Sequence, residues 1–183
     1  MTYTTAGILW PHALAFWETH KSWTDQNTEP TVAQVLYSLA VANKAKLIVE
    51  LGVRNSTTAY WLIGAAAHTG GRYVGIDSAP VLEHIEGGEF LQDTLPDCLP
   101  RHFQPGTIDL AFVDDNHAPE HVHTEIETLW PLMAPGGLIT FHDVIGAFGI
   151  WDMLTTHYHP LKLVYQQFKE DHAVGGLGVI QVL

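Results

Sequence analysis

The stretch "IDLAFVDDNHAPEHVHTEIETLWPLMAPGGLITFHDV" at residues 108–144 predicts a strand, a helix that ends at "PGG", and a second strand. The first apolar run ends at Asp114, and the last ends at the pair His142 and Asp143. Strands joined through a helix lie parallel in one sheet, so their carboxyl ends share one edge. Because ligands bind at that edge in such sheets, we expect these acid and imidazole side chains to form part of a site.

The flanking segments continue the alternation of strand and helix. "KLIVELG" at 46–52 and "RYVGID" at 72–77 predict buried strands on either side of the helical pattern "STTAYWLIGAAA". "EFLQD" predicts a short third strand, and "KLVYQQF" and "GLGVIQVL" predict two final strands. Further helices are predicted over 11–23, from Pro30 onward, and over 146–157. This order favours an α/β protein with a mostly parallel sheet and helices on both faces.

The composition restricts both the class and the partners of the protein. A chain of 183 residues with 46% hydrophobic and 15% charged residues fits a single globular domain. The 8 basic and 20 acidic residues give a formal net charge of −12, which repels nucleic acid. Cys98 is the only cysteine, and the sequence shows no signal peptide or membrane-spanning apolar run. We therefore expect a cytoplasmic protein without a nucleic-acid or membrane partner.

Residues 49–59, "VELGVRNSTTA", combine a strand, an acid, a glycine and the hydroxyl-rich start of a helix. Gly52 would let the backbone approach a ligand closely, and Asp77 at the end of the next strand could accept both hydroxyls of a ribose. A dinucleotide-binding G-x-G-x-x-G motif would need glycine where Arg54 and Thr57 stand, so that interpretation is excluded. Taken alone, Gly52 could equally be a simple turn between strand and helix.

The segments "VELGVRNSTTAYWL", "GID", 108–144 and "GGLGVI" together resemble the class I S-adenosylmethionine-dependent methyltransferases. They are most similar to the small-molecule O-methyltransferase group, which includes macrolide sugar methyltransferases and cephalosporin-hydroxylase-like proteins. The resemblance implies a Rossmann-like, doubly wound sheet of seven strands with an antiparallel last strand. The resemblance runs from about residue 46 to the C-terminus. We therefore expect one methyltransferase domain over 1–183, with an αβ core over 46–183 and a helical lid or dimerisation segment over 1–45.

The same resemblance implies S-adenosylmethionine as the cofactor and a small molecule as the acceptor. The implied cofactor contacts come from Glu50, Gly52, Val53, Asn55, Ser56, Thr57, Asp77, Ser78, Asp93, Thr94 and Asp114. The chain departs from the family at the glycine-rich turn, which usually carries a second glycine. Arg54, Asn55 and Ser56 occupy that stretch here.

The acid and histidine residues have two interpretations. Asp114, His142 and Asp143 could bind a divalent ion such as Mg²⁺ or Mn²⁺, since carboxylate and imidazole ligands suit these ions. Alternatively, His142 caps a strand end, Asp143 begins a turn, and a basic residue such as Arg54 supplies the counter-charge. His117 matches the D-x-x-H arrangement of some sugar methyltransferases and would then be a general base. It could also be an exposed loop histidine.

The sequence thus predicts an S-adenosylmethionine-dependent methyltransferase that acts on a hydroxyl group of a small molecule, with His117 and Asp114 as catalytic residues. Two alternatives are a non-catalytic cofactor-binding protein and a metal-dependent enzyme that performs other chemistry on the same fold. Asp115 is expected to be a turn residue, or else to exchange roles with Asp114. His121 and His123 are expected to be solvated on the flank of a helix.

Overall fold

The structure is a computed structural model that describes residues 28, 30–54, 57–81, 85–145, 149–163, 167–169 and 172–183. Its helices are α1 Pro30–Ala42, α2 Thr57–Thr69, α3 Leu99–His102, α4 Pro119–Leu129 and α5 Ile150–His157. Its strands are β1 Leu47–Leu51, β2 Arg72–Asp77, β3 Gly88–Gln92, β4 Ile108–Val113, β5 Met133–Phe141, β6 Leu161–Leu163, β7 Gln167–Lys169, β8 His172–Val174 and β9 Leu177–Gln181. None of the helices in these described ranges is long and apolar enough to cross a membrane.

Most of the strands form a 7-stranded sheet in the order β3-β2-β1-β4-β5-β9-β6. The strands from β3 to β5 are parallel, whereas β9 runs antiparallel to both β5 and β6. The strand order reverses between β1 and β4, and a ligand site is expected at such a switch point. The predicted Rossmann-like sheet with an antiparallel last strand is confirmed.

Helices cover both faces of the sheet because alternate strand residues point to opposite sides. Val49 belongs to a buried cluster with Ile126 of α4, and Ile48 belongs to another with Leu36 of α1 and Leu62 of α2. Strand β1 is buried along its whole length, which explains its largely apolar sequence. Because burial on both faces fixes the register, the carboxyl ends of β1, β2 and β4 are held at one edge.

The structure corrects several element boundaries. The helix predicted to reach "PGG" ends at Leu129, because Pro131 in the following 3-10 turn has no amide hydrogen to continue it. "PGG" therefore lies within β5. The predicted strand "KLVYQQF" is divided between β6 and β7, and β7 pairs with β8 in a separate hairpin. Helix α5 begins at Ile150, and the helix predicted over 11–23 lies outside the described residues.

Candidate active site

The candidate site forms where the carboxyl ends of β1, β2, β4 and β5 meet. Gly52 follows β1 at a φ of +86°, and a Cβ at this position would lie 2.5 Å from the carbonyl oxygen of Asp114. The amide of Asp114 donates to the carbonyl of Leu51 at 2.8 Å, so the two loops are in direct backbone contact. Gly52 was predicted to let a ligand approach the backbone closely. In this structure, the backbone of the segment after β4 lies against Gly52.

Asp77, the last residue of β2, holds the loop that follows Gly52. Its Oδ2 accepts hydrogen bonds from the amides of Val53 at 3.0 Å and Arg54 at 2.9 Å, and its Oδ1 accepts one from Ala79 at 2.9 Å. Arg54 has a φ of 44°, so it adopts a left-handed conformation that glycine adopts most easily. A carboxylate has about four acceptor positions, so these three described bonds leave Asp77 able to accept a further donor, and its contact with a ribose stays a prediction.

Glu50 lies inside the sheet rather than at its surface. It is 1% exposed, and its Oε2 accepts a hydrogen bond from the hydroxyl of Tyr73. Burial raises the pKa of Glu50 well above its ordinary value, and the charges of Asp114 and Asp77 also raise it, against the Tyr73 hydrogen bond. Gly75 leaves room for this contact, because a Cβ there would lie 2.5 Å from the Tyr73 hydroxyl oxygen. A direct cofactor contact from the Glu50 side chain stays a prediction.

The residues expected to contact an adenine follow β3. The Oδ1 of Asp93 lies 2.9 Å from the guanidinium of Arg101 and accepts a hydrogen bond from the amide of Thr94, and its Oδ2 lies 2.9 Å from Nε2 of His102. The hydrogen bonds of His102, Thr94 and Arg101 lower the pKa of Asp93 to about 2. This carboxylate is therefore held by the chain itself, whereas Thr94 and Ser78 are exposed at the same edge. Their cofactor contacts stay predictions.

The remaining predicted cofactor residues surround the start of α2. Asn55 and Ser56 lie outside the described residues. Thr57 and Val53 are each 5% exposed, and Val53 packs into the cluster formed with α1 and α2. Because these two side chains belong to the core, a ligand would meet this part of the loop through its backbone.

Asp114 connects the ends of β4 and β5. Its Oδ1 lies 2.9 Å from Nδ1 of His142 and 3.4 Å from Nε2 of His117. Its Oδ2 accepts a hydrogen bond from the hydroxyl of Thr28 at 2.8 Å, a contact across 86 residues for which the sequence offered no local signal. Asp143 places a second carboxylate 3.5 Å from the same nitrogen of His117. The structure thus brings the predicted acid and histidine residues together.

The acid and histidine residues of this group shift one another's pKa values. Burial raises the pKa of Asp114, but the attraction of His142 and the hydrogen bonds from both histidines outweigh burial and hold the pKa below its usual range. The hydrogen bond to Asp114 and the charge of Asp143 raise the pKa of His117, against burial, which lowers it. Arg54 is exposed, and the ion pairs of Asp114 among the described residues are with the two histidines. Arg54 is therefore not the described partner of Asp114, and a metal ion at this position stays a prediction.

A narrow cleft opens beside these groups. Both polar and apolar residues line it: Asp114, Asp115, Asn116, His117 and His142, together with Val113, Val122, Phe141 and Ile150. Asp114, His117 and His142 each offer one ligand atom, and these atoms lie within 4.8 Å of one another. The sequence predicted Asp143 instead of His117 as the third ligand, and its Oδ1 lies 3.7 Å from Nδ1 of His142.

A second group of acid and imidazole side chains lies next to the first. Nε2 of His121 is 3.2 Å from Oδ2 of Asp115 and 3.7 Å from Oε1 of Glu125. The expectation that His121 is solvated is wrong, because its side chain is partly buried between these carboxyl groups. His123 is also partly buried, with Nδ1 3.1 Å from the hydroxyl of Tyr158. His121 and Glu125 are four residues apart, a spacing that places two side chains on the same face of a helix. This contact could therefore have been predicted from the sequence.

Comparison with known protein families identifies the chain. Residues 49–144, more than half of the 183, match the family described as "Methyltransferase domain". The chain belongs to this methyltransferase family. The matched region of the methyltransferase begins in β1 and ends just after Asp143, so it contains the switch point and the acid and histidine residues described above. Among curated proteins, a search found no match to this methyltransferase.

Solved structures share the fold of this methyltransferase. The O-methyltransferase TomG from Streptomyces achromogenes, involved in tomaymycin synthesis and solved with SAM, is 19% identical with a TM-score of 0.67, covering 93% of this chain and 89% of that one. The cofactor-bound Rv0187 from MTB is 19% identical with a TM-score of 0.70, covering 99% and 92%. The O-methyltransferase from Bacillus cereus in complex with SAH is 15% identical with a TM-score of 0.60, covering 99% and 92%. The predicted family and fold class are confirmed.

Proposed function

We propose that this protein transfers a methyl group from S-adenosylmethionine to a hydroxyl group of a small molecule. The observation that carries the proposal is His117, placed between the carboxylates of Asp114 and Asp143 at the switch point of a methyltransferase sheet. An alcohol must lose its proton as its oxygen attacks a methyl carbon, and an imidazole held by carboxylates is a suitable base. The similar folds of two O-methyltransferases, one solved with SAM and one with SAH, support the choice of cofactor and acceptor atom.

The residues at the ends of β1 and β2 fit S-adenosylmethionine. Oδ1 of Asp77 accepts one described backbone hydrogen bond and can accept another from one hydroxyl of a ribose. Ser78 and Thr94 are exposed at the same edge and offer further hydrogen bonds to the nucleoside. The amino terminus of α2, which begins at Thr57, favours a carboxylate such as that of the methionine part. When bound, the cofactor supplies an electrophilic methyl group on a positively charged sulfur.

His117 would accept the proton of the acceptor hydroxyl. Its Nε2 is buried and faces Asp114 and Asp143 at 3.4 Å and 3.5 Å, which favours the tautomer with the proton on Nε2. The lone pair is then on Nδ1, and this atom takes the proton. The same carboxylates stabilise the imidazolium that forms. His142 and Thr28 both bond to Asp114 and so hold its carboxylate in place.

A divalent ion is a second candidate component of the site. Asp114, His142 and Asp143 would hold Mg²⁺ or Mn²⁺, since they offer carboxylate oxygens and an imidazole nitrogen as ligands. Oδ1 of Asp114 and Nδ1 of His142 lie 2.9 Å apart, which is close enough for both to reach one ion. An ion at this position would lower the pKa of an acceptor hydroxyl, so the hydroxyl would need a weaker base to lose its proton. The base mechanism does not require it, because a neutral His117 can take the proton of the hydroxyl while His142 and Thr28 keep hold of the Asp114 carboxylate.

Cofactor binding and product formation test the proposed function. Isothermal titration with S-adenosylmethionine and S-adenosylhomocysteine should show binding of both. Mass spectrometry against a panel of hydroxylated metabolites should show a product heavier by one methyl group. Binding without any product across the panel would favour a non-catalytic binding protein, and a folded protein that binds neither compound would overturn the proposal.

A substitution at His117 separates the base from the metal. We expect His117→Asn to reduce kcat by about 100-fold or more, the usual contribution of a general base, while cofactor affinity is kept. Wild-type activity should persist in excess EDTA. An enzyme that loses its activity in EDTA and regains it with Mg²⁺ or Mn²⁺ would instead assign the activation of the hydroxyl to an ion.

A further inference from the structure

A second polar cluster lies between the loop after β4 and helix α4. It consists of Asp115, His121 and Glu125, and we call it the α4 cluster. Nε2 of His121 lies 3.2 Å from Oδ2 of Asp115 and 3.7 Å from Oε1 of Glu125. One ligand atom from each residue lies within 4.8 Å of the other two. None of the three has a part in the proposed methyl transfer.

Glu125 is the member of the α4 cluster that calls for an explanation. Its side chain is 0% exposed, and neither carboxyl oxygen accepts a hydrogen bond within the described part of the chain. A buried carboxyl in this state is unfavourable, because it loses its hydrogen bonds to water without replacement. Burial, together with the nearby Asp115, raises the pKa of Glu125 to about 10. A cation bound to these oxygens would remove the penalty.

A similar group near α3 shows how the chain satisfies such acids elsewhere. Asp93, Cys98 and His102 also present ligand atoms within 4.8 Å of one another, but the guanidinium of Arg101 lies 2.9 Å from Asp93. An arginine thus supplies the positive charge at that group. In the α4 cluster, the ion pairs among the described residues are those with His121. Two carboxyl groups therefore share a single imidazole, and no arginine or lysine of the described chain pairs with them.

We propose that Asp115, His121 and Glu125 bind a divalent first-row transition-metal ion, with Zn²⁺ and Mn²⁺ as the test ions. Ligand atoms about 2.1 Å from a common ion lie roughly 3.0 to 3.4 Å from one another in octahedral or tetrahedral geometry. The observed separations of 3.2 and 3.7 Å are close to that range, so small side-chain rotations complete the site. Two carboxylates and one imidazole suit Mn²⁺, Fe²⁺ or Zn²⁺ better than an all-oxygen site would.

The ion would tie the loop after β4 to helix α4. Asp115 stands between Asp114 and His117 in the sequence, so its attachment to α4 would hold the segment that carries the proposed base. The role is one of positioning, and the metal site itself does not depend on the proposed methyl transfer. It is also separate from the group of Asp114, His142 and Asp143, with which it shares no ligand.

Metal content and thermal stability of the full chain test the proposal. The purified protein is stripped with EDTA, dialysed, reloaded with Zn²⁺ or with Mn²⁺, and analysed by elemental mass spectrometry and by thermal melting. We expect the wild type to bind an ion and to melt at a higher temperature with it. Glu125→Gln has the shape of the neutral acid but cannot ionise to a carboxylate ligand, so it should fold, lose one bound ion per chain and show no rise in melting temperature.

Further variants separate the α4 cluster from the other two groups. His121→Gln changes a partly exposed ligand and should behave as Glu125→Gln does, which guards against a folding defect at the buried position. His142→Gln and His102→Gln are the matched controls in the other groups and should keep the thermal shift. The proposal is overturned if the wild type binds no ion, or if Glu125→Gln and His121→Gln bind as much as the wild type. The proposal is also overturned if the metal-induced rise in melting temperature is lost in His142→Gln and kept in Glu125→Gln.

Discussion

Nδ1 of His142 lies 2.9 Å from Oδ1 of Asp114, so the ends of two neighbouring parallel strands are joined by a largely buried hydrogen bond. This bond holds the Asp114 carboxylate where Thr28 and His117 also contact it. The geometry of the candidate site therefore depends on the residues that follow the carboxyl ends of β4 and β5. Changes at these ends should be measurable separately as changes in stability, cofactor binding and rate.

Gly52→Ala should lower the free energy of unfolding by about 2 to 4 kcal/mol. A residue with a side chain in the left-handed conformation costs about 1 to 2 kcal/mol, and the added Cβ would lie 2.5 Å from the carbonyl oxygen of Asp114. Urea denaturation measures the change. Gly106→Ala is the control, because its φ is +72° but, apart from its own chain neighbours, no atom of the described residues lies within 4 Å of the added Cβ. Equal losses in the two variants would argue against a tight contact between the loops.

Asp77→Ala should weaken binding of S-adenosylmethionine by about 2 kcal/mol, roughly 30-fold, through the loss of a charge-assisted hydrogen bond. It should also lower stability, because the amides of Val53, Arg54 and Ala79 lose their acceptor. Asp109→Ala is the matched control at the opposite edge of the sheet. Its Oδ2 accepts the amides of Lys46 and Leu47 at 2.7 and 2.9 Å, so the control should lose stability but keep cofactor affinity. Calorimetric titration and urea denaturation measure the two effects.

Tyr73→Phe should lower the free energy of unfolding by about 1 to 3 kcal/mol, because it leaves the buried Glu50 carboxyl without its donor. Glu50→Gln is the matched comparison. Its amide oxygen can still accept a hydrogen bond from the Tyr73 hydroxyl, so we expect a smaller decrease in the free energy of unfolding at low pH. Chemical denaturation of the two variants provides the measurement, and equal losses would mean that the hydrogen bond contributes little.

Stability should also depend on pH through Glu50. Its pKa in the folded protein is raised well above the ordinary value, so the unfolded chain releases this proton at a lower pH than the folded protein does. The stabilisation is therefore complete below about pH 4 and decreases as the pH rises toward the folded pKa. Glu50→Gln cannot ionise, so its free energy of unfolding should change less than that of the wild type between about pH 5 and 8. Identical pH profiles would contradict the burial of an ionisable group at this position.

The rate of methyl transfer should rise with pH through the pKa of His117, because the base must be neutral. Asp114 and Asp143 raise this pKa above its ordinary value of 6.5. Asp143→Asn removes one of these charges, so the midpoint of the rate profile should move to lower pH when activity is measured in EDTA. Glu89→Gln is the control for net charge, since that carboxylate pairs with Arg72 on the exposed surface. A midpoint that does not move in Asp143→Asn would assign the titration to another group.

Periodicity and chain order were enough to predict the architecture and the edge of the sheet that carries the site. Apolar runs of strand length separated by helical patterns can be buried only in a layered sheet, and parallel strands place Asp77, Asp114 and His142 at a common edge. Gly52 could be singled out for the same reason, because a strand that turns into a helix at the switch point needs a tight bend. These inferences depend on periodicity and chain order, both of which are properties of the sequence.

Which side chains contact one another depends on the three-dimensional packing of the chain. The hydroxyl of Thr28 donates a hydrogen bond to Asp114 from 86 residues away, and Asp77 accepts hydrogen bonds from the backbone of the neighbouring loop. Neither contact can be predicted from the local sequence. Periodicity predicted a buried face on α4, but the burial of Glu125 beside His121 depends on the path of the loop after β4. Hydrogen bonds and pKa shifts change over fractions of an ångström, whereas hydrophobic patterns fix only which side of an element is covered.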